Sequence, residues 1–106
     1  MSSEKHAYQR NIDNFHSHLL MEDHADIRSV LLRLLIEEEN KYGERREQID
    51  LLKIKIEKGR ILIEKQKNIV DRLLGEDGSL ANANRVLKNF IETQHALVQR
   101  LATLER

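Results

Sequence analysis

The stretch YGERREQIDLLKIKIEKGRILIEKQKNIV, residues 42–70, places Tyr42, Ile49, Ile56, Ile63 and Val70 at intervals of seven. Such a repeat keeps one face of a helix apolar, and that face has to be buried against another helix. Filling in the positions between gives a seam of Ile49, Leu52, Ile56, Gly59, Ile63, Gln66, Val70 and Leu73, spaced alternately three and four. A matching series follows: Leu80, Ala83, Leu87, Phe90, Gln94, Leu97, Leu101 and Leu104. If the chain turns back between them, residues whose numbers sum to about 153 meet in an antiparallel hairpin. Ile63 then faces Phe90, Ile56 faces Leu97, and Leu52 faces Leu101. Gly59 falls opposite Gln94, where a small residue leaves room for a long polar one and so fixes the register.

The turn is written in GEDGS, residues 75–79. Gly75 follows Leu73 and Leu74 as a left-handed C-terminal cap would, having no Cβ to clash at positive φ. Ser79 is the expected N-cap of a helix over 80–105. Upstream, the seven-residue spacing runs from Ile49 through Tyr42 to Leu35, which predicts one long helix over 24–74. Gly43 inside it costs about 1 kcal/mol relative to Ala, enough for a kink and not an obligatory break. Asp23 is the expected N-cap of this helix, with Ile27, Val30, Leu31, Leu34 and Leu35 on its apolar face. Residues 1–22 form a shorter helical or partly disordered segment with Ile12, Phe15, Leu19 and Leu20 on one side. The period-two run LLKIKI, residues 51–56, has no partner strand and is flanked by helix formers, so it is read as helix.

At 106 residues the chain is expected to be a single helical domain. Pro, Trp and Cys are absent, and 18 basic residues balance 18 acidic ones. No global field therefore steers it toward nucleic acid or an acidic membrane. Without cysteine there is no disulfide framework, thiolate metal site or thiol nucleophile, which suits a reducing cytoplasm. The N-terminus lacks a signal-peptide core, and the longest apolar cluster, VLLRLLI at 30–36, is interrupted by Arg33, so neither secretion nor a membrane span is expected.

Three aliphatics do not fit the hairpin. With Ile49 and Ile56 at heptad position a, Leu51 falls at c and Ile54 and Ile61 at f, farthest from the seam. Each large aliphatic left in water forgoes about 1.5–3 kcal/mol of burial, so the three are expected to face a partner. Cover could come from the N-terminal helices, in a three- or four-helix intramolecular bundle, or from a second copy completing a bundle by self-association.

Candidate chemistry is sparse. His16 and His18 with Glu22 are the metal candidates, since His18 and Glu22 stand at i and i+4; the E-x-x-H repeat of di-iron bundles is missing, so a His/carboxylate metal-binding bundle is a second alternative and no metal is expected. Glu37, Glu38, Glu39, Glu44 and Glu47 read as a solvated face, because consecutive helical residues point in different directions and Arg45 and Arg46 lie near as ion-pair partners. GEDGS lacks the Lys and preceding strand of a phosphate loop. Residues 51–70 carry 6 basic and 2 acidic groups. The basic ones, Lys53, Lys55, Lys58, Arg60, Lys65 and Lys67, spread around the helix without aromatic platforms, so nucleic-acid binding is the alternative and not the main reading. No catalytic grouping stands out, and an enzyme is not expected.

The segment IEKGRILIEKQKNIVDRLLGEDGSLANANRVLKNFIETQ, residues 56–94, resembles small helical-hairpin, coiled-coil-like proteins of alphaproteobacteria, especially rhizobia, whose function is unknown. Gly59, Ile63, Gln66, Ile69, Val70, Leu73, Gly78, Leu87, Phe90 and Gln94 carry the likeness, with the turn displaced by about one residue. The resemblance implies a helical hairpin and a bacterial cytoplasmic setting, and no reaction. The expectation is an all-α, non-enzymatic interaction module without cofactor. It would act as a self-associating scaffold or regulatory adaptor, a homo-dimer or higher homo-oligomer, with an unknown protein partner as the other case.

Overall fold

The computed structural model describes residues 2–74 and 79–106. Their regular elements are α1 (Ser2–Met21), α2 (Ala25–Tyr42), α3 (Arg45–Arg72) and α4 (Ser79–Glu105). The fold is all-α, and LLKIKI lies within α3. The chain clusters into two compact units, Met1–Leu51 and Leu52–Arg106. Among the described residues, no helix is long and apolar enough to cross a membrane.

In the first unit α1 and α2 pack as an antiparallel pair. Asn11 Nδ2 donates to the Glu38 carboxylate at 3.4 Å. At the other end the Arg28 guanidinium donates to the carbonyls of Leu19 and Glu22, satisfying acceptors that the C-terminus of α1 leaves open. The buried stripe of α1 is Ile12, His16 and Leu19, and that of α2 includes Leu35 and Glu39. Because the α2 stripe continues to half-buried Leu32 and Tyr42 at three-four spacing, Ile27 and Val30 lie off it and are 44% and 45% exposed, contrary to the sequence expectation. The N-cap of α2 is His24, not Asp23, with φ −83° and ψ 122° and no side-chain cap bond.

The helix expected over 24–74 is broken at Gly43. Its backbone is extended, φ −177° and ψ −175°, a conformation open to any residue. What calls for glycine is space: a Cβ there would sit 2.8–2.9 Å from atoms of the Glu47 side chain, its own Cβ included. Glu47 Oε1 in turn accepts a long bond of 3.5 Å from the Glu44 N–H, one half of a capping box. Gln48 Nε2 donates to the Gly43 carbonyl at 2.9 Å. Lys5 pairs with Glu47 and lies 4.9 Å from the centroid of the Tyr42 ring. These contacts stabilise an interruption that glycine's propensity alone would not enforce.

The second unit holds α3 from Leu52 onward, paired with α4 in a hairpin. Leu52 and Leu97 are fully buried, and Gly59 and Ala83 are buried as well. Ile56, Ile63, Gln66, Val70, Leu73, Leu87, Phe90, Gln94 and Leu101 are half-buried, so none of these seam residues is exposed. Ile49, also half-buried, belongs to the first unit. Gln94 Nε2 donates to the Ile56 carbonyl at 2.8 Å, and a Cβ on Gly59 would overlap the Gln94 carboxamide. Gln66 Nε2 repeats the device in the other direction, donating to the Ala83 carbonyl at 2.9 Å. The bridged numbers sum to about 150, close to the expected register. Lys53 and Glu105 approach to 3.8 Å at the far end. Gly75, proposed as the left-handed cap, lies outside the described residues. Ser79, expected as the N-cap, is the first residue of helix α4.

Candidate interaction surface

On a helix turning about 100° per residue, heptad position f lies opposite the a/d seam. Ile54 and Ile61 occupy it on α3, and with their seam neighbours engaged by α4 they are left 54% and 41% exposed. Leu51 was expected beside them. It is only 6% exposed, although Lys58, Lys65 and Arg72 at the same c position are exposed, and it drops out of the exposed face.

Charge borders this stripe in two bands that the sequence reading did not separate. Position b carries Glu57, Glu64 and Asp71, and position c carries Lys58, Lys65 and Arg72, all exposed. They flank f by about 40° on one side and about 60° on the other. Glu57 is held on its edge by Arg60, whose Nη2 donates at 2.7 Å. The hydrogen bond from Arg60 keeps the Glu57 carboxyl below its ordinary range. The signal for the bands was present in the heptad frame, one charge sign per position.

The basic group does not act as one surface. Lys53 leans toward Glu105, Arg60 is bound to Glu57, and Lys55 is 7% exposed. Burial, with a smaller contribution from the Lys58 charge, lowers the Lys55 ammonium to about 8. The acidic run is likewise divided: Glu39 is 1% exposed, Glu38 lies 3.5 Å from Lys41, and Glu47 serves the α2–α3 junction.

The metal candidates separate as well. His16 is buried in the α1 stripe, while His18 and Glu22 line an open groove of about 320 Å³ with Met21, Ile27 and Leu31. Glu22 Oε1 is 2.7 Å from His24 Nδ1, a bond that lowers the Glu22 carboxyl and raises the His24 imidazole relative to their ordinary values. Among the described residues, no group of three His, Asp or Glu side chains is placed to hold a metal ion.

Sequence reasoning missed two further exposed aliphatics, Ile91 and Val98 on α4, at 45% and 46%. Their seven-residue spacing was the available signal. With bridged residues summing to about 150, they stand level with Ile61 and Ile54 along the hairpin.

Compared with protein-family models, with curated proteins and with solved structures, the chain matches none.

Proposed function

We propose that this chain is a non-enzymatic interaction module that self-associates through the outer face of α3 and so extends its hairpin into a larger bundle, as a scaffold or regulatory adaptor. The observation that carries the reading is the exposure of Ile54 and Ile61 on one stripe while the seam on the opposite side of α3 is closed within the hairpin. Isolated surface aliphatics need no explanation, whereas two at a seven-residue interval make a line that a second helix can cover. At half exposure each retains roughly 1 kcal/mol of unrealised burial, which favours a weak, concentration-dependent association. A cytoplasmic setting belongs to the same reading, supported by the cysteine-free sequence.

Sedimentation over a range of concentrations tests it. The wild-type average mass is expected to rise above the 12.5 kDa of one chain, and the double variant Ile54→Glu/Ile61→Glu is expected to stay at that mass with its helicity intact. A wild type that remains at one chain's mass at every concentration removes the reading.

A further inference from the structure

We infer that two copies pair α3 against α3 in parallel and in register, with Ile54 meeting Ile54 and Ile61 meeting Ile61 across a two-fold axis. The inference rests on the self-association reading and adds to it the partner, the orientation and the register. Burial of the two isoleucines alone does not choose an orientation, since an antiparallel pair would cover Ile54 with Ile61 equally well. The charged edges do choose. When two identical helices face each other in parallel, the left edge of one meets the right edge of the other, and when they run antiparallel, like edges meet. Here one edge is acidic (Glu57, Glu64, Asp71) and the other basic (Lys58, Lys65, Arg72). The parallel arrangement therefore sets each acid beside a base within one residue's rise: Glu57 with Lys58, Glu64 with Lys65, and Asp71 with Arg72 of the second copy. The antiparallel arrangement, with Ile54 over Ile61, sets Glu57 on Glu57, Glu64 beside Asp50 and Lys58 on Lys58 of the second copy.

Arg60 already neutralises part of the Glu57 charge, so Glu64 and Asp71 carry more of the preference. Exposed ion pairs are individually weak and screened by salt. Added salt is thus expected to loosen the dimer, although it would strengthen an association held by apolar contact alone.

The absence of cysteine from the chain allows a direct test by disulfide trapping. Asn68 is exposed and lies seven residues beyond Ile61, at the same heptad position. Asn68→Cys leaves the isoleucines and both charged edges in place, and in the parallel register it faces its own copy. It is expected to oxidise to a linked dimer far faster than Asn84→Cys, an exposed control on α4. Charge reversal gives the second arm. Lys58→Glu/Lys65→Glu and Glu57→Lys/Glu64→Lys should each sediment as single chains and should form a one-to-one dimer when mixed. A wild-type dimer in which Asn68→Cys fails to link, or in which Ile54→Cys links to Ile61→Cys in preference to itself, overturns the parallel arrangement while self-association stands. A wild type that neither sediments above one chain nor links through Asn68→Cys faster than the control removes both.

Discussion

Between Ile12, Leu19 and Leu35 the α1–α2 pair buries His16 and Glu39, whereas the α3–α4 pair lines its seam with aliphatics and turns its polar seam residues, Gln66 and Gln94, onto main-chain carbonyls. Both are antiparallel helical hairpins, yet their interiors are specified differently. In the second, the polar seam members Gln66 and Gln94 are uncharged, their donors have named acceptors, and each stands against a small residue, Ala83 or Gly59. In the first, titratable groups sit among apolar ones, and the pairing is anchored at its rims by Asn11, by Arg28 and by Lys5 over the Tyr42 ring. A heptad with neutral register markers announces its partner; a stripe interrupted by ionisable residues does not.

The largest effect that would sharpen this contrast is loss of core volume. Leu97→Ala in the second hairpin and Ile12→Ala in the first each remove a side chain that is 1% exposed, and each is expected to cost about 2–5 kcal/mol, measured by urea unfolding. If Ile12→Ala cost well under 1 kcal/mol, the apolar part of the first stripe would not be its main support.

Next comes Lys55, the buried charge that the second unit holds in spite of its apolar seam. Its folded value of about 8 lies below the lysine value of 10.5, so between these limits the unfolded chain binds more protons than the folded one. Stability therefore rises with pH across that window, and the penalty is complete below it. Lys55→Met should abolish the rise, changing the difference between wild type and variant by up to about 3 kcal/mol. Urea unfolding below and above the window measures it; a difference flat with pH would show that Lys55 is solvated like any surface lysine.

The smallest effect probes the glutamine markers. Gly59→Ala gains up to about 1 kcal/mol of helix propensity but drives the Gln94 carboxamide from its place and breaks its bond to the Ile56 carbonyl, worth about 1 kcal/mol. Combined with Gln94→Ala, the clash disappears. A double-mutant cycle is expected to give a coupling above about 0.5 kcal/mol, and simple additivity would mean that the pair does not set the register.

These contrasts also explain what could be read in advance. The α3–α4 hairpin, its seam and the Gly59–Gln94 contact follow from spacing, because aliphatics at three-four intervals admit one antiparallel solution. Gln66 over Ala83 was legible by the same rule and went unread. The break at Gly43 did not follow from propensity, because its cause is the Glu47 and Gln48 side chains closing back on residues 43 and 44. Burial of His16 and Glu39, and of Asn89 and Thr93 on α4, contradicts the polarity that pattern reading relies on. On the candidate surface, Ile54 and Ile61 were visible as surplus aliphatics. Leu51 was not separable from them, because a helical frame locates a face without saying what covers it.

The reciprocal placement of two long amides over two minimal side chains carries an evolutionary consequence. Residues 59 and 94 are expected to change together: a lineage that enlarges the first must shorten the second, and one that loses the amide frees the glycine to become alanine. Joint substitution at those two sites would betray the hairpin's alignment in any set of descendants, even where the flanking aliphatics had been freely exchanged for one another.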